Sequence, residues 1–268
     1  MHAVDIGPFV FAPDRLAAIV AIGVFLLAAS IAARHLDGRL ERWAGAAVLG
    51  GLLAARAGHV ALNWAHFSDE PWRVLAIWQG GFSLPAAAIG VAIVSAFQAI
   101  TPRLLAGAVI ALALGGFAGL IVMELTKATL GQSAPISRMN TLDGGFRSIQ
   151  EFRGKPVVVN LWASWCPPCR REMPLLARRA EERSDVTFLF VNQGESATTI
   201  ARYLEKDKLR LDNVLLDVAM ATPRHYGTPG LPVTLFLRVD GTLASLVVGE
   251  ISSEALDAGI RGITEGAQ

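Results

Sequence analysis

The sequence predicts a chain in two unlike parts: an all-α transmembrane domain of four helices over residues 1–130, then an α/β domain over 131–268. Composition separates them. Of the 268 residues, 53% are hydrophobic and the mean hydropathy is +0.44, too apolar for a uniformly water-soluble globule. The long apolar runs all end by Met123; after Lys127 charges are frequent and apolar runs become short and separated by turn residues.

Four apolar segments make up the first part: Leu16–Ala33, Trp43–Trp64 interrupted by Arg56 and His59, Phe82–Ile100, and Leu104–Met123. Each is at or above the length of about 18 residues expected of a spanning helix. Met1–Asp14 carries no basic residue, the reverse of a cleavable leader, so the first helix is expected to stay. Arg34, Arg39 and Arg42 lie in the first loop and Arg103 in the third, whereas Asp69 and Glu70 face a single Arg73 in the second. The bias of short cytoplasmic loops toward Lys and Arg then puts the amino terminus outside, and everything after Met123 outside again.

The segment ATLGQSAPISR, 128–138, reads as a linker through its Gly, Ser and Pro. PVVVNLWAS at 156–164 suits a buried strand, and 168–183 has helical spacing with charges on one face. VTFLFVN (186–192), ATTIARYLEKDK (197–208), VTLFLRVDG (233–241), TLASLVVG (242–249) and SSEALDAGIRGI (252–263) extend the order β, α, β, α, β, β, α, with Asp240-Gly241 as a hairpin turn.

The only two cysteines, Cys166 and Cys169, stand in LWASWCPPCRREMP, where the first strand gives way to the first helix. A thiol at a helix amino terminus meets unpaired N–H groups and the positive end of the dipole, which favour its thiolate. Pro167 and Pro168 suit a first helical turn, where no intrahelical N–H bond is lost. Cys169, one turn deeper, is placed to attack a mixed disulfide held on Cys166. A structural staple closing so short a loop removes little chain entropy. A zinc site needs about two further ligands and no cysteine remains, so no metal is expected. A Cu(I)-binding or delivery module using both sulfurs is the alternative from another class. Trp162 and Trp165 read as packing groups around the strand and the cysteine loop.

These residues, with VNQGES at 191–196 and YGTPGLPVTLFLRVDG at 226–241, resemble the thioredoxin superfamily, and within it the membrane-anchored TlpA-like and ResA-like thiol-disulfide oxidoreductases. The resemblance covers about residues 135–265 and implies a central mixed sheet flanked by helices. It also implies that Pro232, preceded by Leu231, is a cis residue lying against the cysteines, and that this loop, with Trp165, Pro167 and Pro168, receives the substrate strand. Glu172, three residues after Cys169, projects near the same helix face and can exchange protons with the thiols; in the ResA-like branch a glutamate here is held to tune cysteine acidity. The alternative for Glu172 is a solvated helix charge like Arg170 and Arg171.

Arg56 and His59 lie within a span, where ionisable groups mark functional sites, although both are close enough to the boundary at Asn63 and Trp64 to snorkel. ARAGHVALNW (55–64) and IWQGGFS (77–83) resemble the first helices of prolipoprotein diacylglyceryl transferase. The chain departs from that pattern at Leu84, Pro85 and Ala86 and lacks its later arginine-bearing helices. The expectation is an anchor with a lipid or partner groove lined by Arg56, His59 and Trp78; lipid handling is the further alternative.

With a net charge of +1 and no Lys/Arg run, nucleic acid is not an expected partner. The expected protein is a bacterial inner-membrane reductant whose α/β domain faces the periplasm. It needs no cofactor beyond the Cys166–Cys169 disulfide and acts on disulfide-containing extracytoplasmic proteins, of the cytochrome c maturation or copper-protein assembly type. Because the membrane part has no cysteine, a separate membrane thiol reductase must supply electrons.

Overall fold

The computed structural model describes residues 4–6, 9–11, 13–68, 70–98, 101–125, 130–228 and 230–265. They separate into two compact units, the helical Pro13–Leu125 and a sheet-bearing remainder that begins with an antiparallel hairpin, β1 (Val4–Ile6) and β2 (Phe9–Phe11).

Three helices of the first unit are long and apolar enough to cross a membrane: α1 (Pro13–His35), α2 (Arg39–Leu62) and α5 (Pro102–Leu125). The short α3 (Trp64–Phe67) and two 3-10 turns, Pro71–Leu75 and Ile77–Gln79, follow α2. The third apolar segment departs from expectation. Ser83 caps its start, accepting from Ala86 N, and the helix α4 (Leu84–Ala96) is 13 residues long, about 20 Å against a hydrocarbon core of about 30 Å. Three helices of spanning length therefore stand where four were expected; residues 99–100 of that segment lie outside the described residues.

Although short, α4 runs antiparallel to the length of α2. A Cβ on Gly58 would meet Ala86 at 2.3 Å, one on Gly90 would meet the Gly50 carbonyl oxygen and Ala54 at 2.5 Å, and Trp43 Nε1 donates to Ser95 Oγ at 3.1 Å. α5 returns along α1 in the same way, Gly107 against Leu36 and Leu40, Gly115 against Ala21 and Phe25. Thr101 Oγ1 donates to Asp37 Oδ2, so the turn before α5 shares an end of the unit with the α1–α2 turn. Within this unit the start of α1 and the end of α5 thus emerge together at the opposite end.

The second unit holds a seven-stranded mixed sheet in the order β4-β3-β7-β6-β5-β8-β9. Its strands are β3 (Met139–Thr141), β4 (Phe146–Arg147), β5 (Val157–Trp162), β6 (Thr187–Gln193), β7 (Val214–Asp217), β8 (Val233–Leu237) and β9 (Leu243–Val248). β5, β6 and β7 are parallel, and the other pairings are antiparallel. β5 is buried along its whole length, as a central strand covered on both faces must be. Its alternation sends Val158 and Trp162 into the core under α6 (Pro167–Glu182), α7 (Ala197–Lys206) and α9 (Ser253–Thr264). Val157, Val159 and Leu161 enter the opposite core with Tyr226 of α8 (Ala221–Tyr226). Close packing of α9 on β8 requires Gly259, whose Cβ would lie 2.3 Å from the Phe236 ring.

Beside the β1–β2 hairpin, three features of this unit were absent from the sequence expectation: the β3–β4 hairpin, strand β7 and helix α8. Asp217, at the end of β7, accepts from Ala221 N and Thr222 N and so starts α8. The segment read as a linker is likewise part of the sheet edge from Gly131 onward: Gly131 N donates to Leu243 O, Leu243 N to Gln132 O, and Ala134 N to Gly241 O. Its residues 128–129 lie outside the described residues.

Candidate active site

The carboxyl ends of β5, β6 and β7 share one edge of the sheet, Trp162 pairing with Asn192 and Gln193 with Asp217. Open α/β sheets gather their chemistry at that edge. Beyond Trp162 the chain turns through Ala163, Ser164 and Trp165 into α6, and Cys166 is the N-cap residue of that helix. Cys169 N–H points at Cys166 Sγ at 3.3 Å, and Arg170 N–H donates to Cys166 O. Pro167 and Pro168 fill the first two helical positions. The two sulfurs are joined in a disulfide of 2.07 Å; Cys166 is 3% exposed and Cys169 fully buried.

Trp165, on the loop before Cys166, is 67% exposed, while Trp162 is sealed in the core beside Tyr203. Leu161 pairs with Val233, so the residues just before β8 lie at the same sheet edge as the cysteine loop. The Leu231–Pro232 peptide bond there is cis. Pro232 is buried and its carbonyl accepts from Gly249 N; Leu231 packs against the core that contains both cysteines.

Glu172 departs from the picture of a solvated helix charge. It is 2% exposed, on the inward face of α6 with Cys169 and Met173. Asn160 Nδ2 donates to its Oε1 at 2.8 Å and Ile251 N donates to its Oε2 at 2.8 Å. Burial pushes its pKa up to about 8, against the opposing pull of those two hydrogen bonds; Glu250 adds to the rise and Arg171 resists it. Arg170 and Arg171 are the solvated pair, reaching Asp207 and Glu250 at 3.4 and 2.6 Å.

Two groups at this edge escaped the sequence reading. Asn160 is the one polar residue in the run VVVNLW, at a position whose neighbours are all core; that break in apolarity was its signal. Glu195 accepts from Ser164 N at 2.7 Å, Ser164 Oγ at 2.5 Å and Asn192 Nδ2 at 2.7 Å, tying the cysteine loop to the end of β6. No local pattern marks that contact, since its partners are 31 residues apart.

In the helical unit, Arg56 is only 8% exposed and its guanidinium serves backbone carbonyls: Nε donates to Val74 O, Nη1 to Gly80 O and Gly81 O, Nη2 to Arg73 O. It also lies over the Phe67 ring, which His59 meets edge-on. Trp78 sits in the turn Ile77–Gln79 with its ring exposed. Among the described residues no group of three or more His, Cys, Asp or Glu is gathered to hold a metal ion.

A mixed sheet with a disulfide at the amino terminus of the helix after its central strand, and a cis-proline loop at the same edge, defines a thioredoxin-like thiol-disulfide oxidoreductase. Residues 130–245 match the AhpC/TSA family. It is 28% identical over 142 residues to the thiol-disulfide oxidoreductase ResA of Geobacillus thermodenitrificans, covering 52% of this chain and 81% of ResA. It is 29% identical over 131 residues to the thioredoxin-like protein YneN of Bacillus subtilis, covering 47% and 76%. Among solved structures, dsbF of MTB in its mixed oxidized and reduced forms is 25% identical, covers 49% of this chain and 100% of that one, and has a TM-score of 0.46.

Proposed function

We propose that the protein is a membrane-anchored, extracytoplasmic reductant of disulfides in other proteins. The observation that carries this reading is the Cys166–Cys169 disulfide at the start of α6, with the buried carboxyl of Glu172 on the same helix. In the reduced state, the Cys166 thiolate attacks one sulfur of a substrate cystine, forming a mixed disulfide and releasing one substrate thiolate. Cys169 then attacks Cys166 Sγ, releasing the second substrate thiolate and closing the disulfide. Glu172 exchanges a proton with Cys169 as it becomes the nucleophile. The substrate strand lies along the loop at Leu231 and Pro232, with Trp165, Pro167 and Pro168 as its apolar rim.

Three helices of spanning length support the anchor. The antiparallel return of α4 supports an even number of crossings, which puts both ends of the helical unit on the outer side. With Arg56 engaged by four carbonyls, the unit reads as an anchor with a braced outer cap. Both cysteines are in the sheet-bearing unit, so reoxidised protein needs electrons from a separate membrane thiol reductase. Its substrates are of the type met in cytochrome c maturation or copper-protein assembly.

The test is a Cys169→Ala variant of the full chain expressed in bacteria. A mixed disulfide should accumulate on Cys166 and be excised with its partner peptide, and a membrane-impermeant thiol reagent should label Cys166 in reduced, intact spheroplasts. Failure to trap any partner, together with no reduction of insulin by the wild type, would end the reading. A reduction potential near the about −120 mV of a strong oxidant, in place of about −270 mV, would reverse the direction of transfer.

A further inference from the structure

The side chain of Asn160 lies between two hydrogen-bonding groups beneath the cysteine helix. Its Nδ2 donates to Glu172 Oε1 at 2.8 Å and to Thr234 Oγ1 at 3.2 Å, while its Oδ1, in a residue 1% exposed, is buried with no hydrogen-bond partner among the described residues. An asparagine amide presents two donors on one atom and two acceptor sites on the other, and half a turn about its last torsion exchanges them. We propose that Asn160 is a positioning residue that follows the proton on Glu172, donating through Nδ2 to the carboxylate and turning over to accept on Oδ1 when the carboxyl is protonated.

The hydrogen-bond count explains why this position takes an amide. With Glu172 ionised, Nδ2 serves both neighbours. With Glu172 protonated, Oδ1 takes the place of Nδ2, accepting from the carboxyl O–H and from the Thr234 hydroxyl, which can donate as well as accept. Both arrangements keep two bonds and leave one amide atom in the same unpaired spot, so neither protonation state forfeits a bond at Asn160. Ile251 N holds Oε2 in both. A lysine here would favour the carboxylate alone, and a leucine would remove both bonds. The charged groups facing Glu172 from its other neighbours are Glu250, beside Ile251, and Arg171 on its own helix, which bridge each other at 2.6 Å. The inference rests on the oxidoreductase reading above and deepens it: protons move at Glu172 as the cysteines cycle, and Asn160 keeps the carboxyl oriented through the change.

The experiment follows the full chain in detergent micelles, labelled with 13C in glutamate and 15N in asparagine. Across pH 5 to 10 the Glu172 carboxyl carbon and the Asn160 side-chain amide should titrate with one midpoint, and Glu172→Gln should abolish the change at the amide. An Asn160 amide that stays fixed while Glu172 titrates overturns the proposal and needs no variant to fold. In parallel, the rate of Cys166 alkylation against pH is measured in reduced protein. Asn160→Leu removes one hydrogen bond from each protonation state, the bond to the carboxylate being the stronger, so it should move the Glu172-dependent inflection upward by no more than about one pH unit, and should have no such effect in a Glu172→Gln background. An equal shift in that background assigns Asn160 a merely structural role and also overturns the proposal. Absence of any disulfide exchange by the wild type, by contrast, sinks the function and is read separately by insulin reduction.

Discussion

Glu195 holds Ser164 by both of its carboxylate oxygens, Oε2 on the backbone N–H at 2.7 Å and Oε1 on the hydroxyl at 2.5 Å. Ser164 lies two positions before Cys166, so this contact anchors the loop that leads Cys166 into the helix start. Glu195→Ala leaves those donors and the Asn192 amide without their acceptor. The expected loss is about 1–3 kcal/mol of stability, read by chemical denaturation, with a slower second-order rate of insulin reduction. An unchanged rate would show that the loop holds its geometry without the carboxylate.

Glu172 makes stability depend on pH with a definite sign. Its pKa rises on folding from the ordinary 4.5 to about 8, chiefly through burial, so between those values the folded state binds a proton that the unfolded state has lost. That stabilising contribution is complete below pH 4.5 and disappears as pH rises through 8, with a slope of up to about 1.4 kcal/mol per pH unit. Glu172→Gln should flatten this dependence. Denaturation midpoints at pH 5, 6.5 and 8 check it; a parallel decline in the variant would assign the slope to other groups.

Arg56 should behave as a brace. Arg56→Ala removes the donor shared by the carbonyls of Arg73, Val74, Gly80 and Gly81 and should cost the helical unit about 2–4 kcal/mol. Arg56→Lys should recover only part, because an ammonium cannot match a planar fork set against four acceptors. Thermal unfolding in detergent reads the loss, and the rate of insulin reduction should stay at the wild-type value. A stable Arg56→Ala protein with reduced partner capture would restore the groove reading.

Gly90→Ala tests the α2–α4 contact. The added methyl would lie 2.5 Å from both the Gly50 carbonyl oxygen and the Ala54 Cβ, where backbone must yield, and the expected cost is about 1–3 kcal/mol. Gly116→Ala, in open space on α5, is the matched control and should be neutral. Equal melting temperatures for the two variants would refute the tight packing.

Much of the redox site was legible in one dimension because its parts are local. Cys-Pro-Pro-Cys carries its own helix start, β5 and β6 are apolar runs of ordinary strand length, and the three long helices announce themselves by length and hydropathy. Strand β7 was missed because four residues make too short a pattern; it becomes a strand only through the hydrogen bonds of β6 and β3 on either side.

Helical spacing alone put Glu172 on the face of Cys169, and the hydropathy of α2 singled out Arg56. What each charge does was decided by partners the spacing cannot name. Ile251, 79 residues beyond Glu172, closes over the carboxyl and removes it from water, while the 73–81 segment folds back to fill the Arg56 guanidinium with carbonyls. Propensity and periodicity are properties of neighbours along the chain. Desolvation and the pairing of buried polar groups belong to whatever arrives from elsewhere, and only the folded chain supplies it.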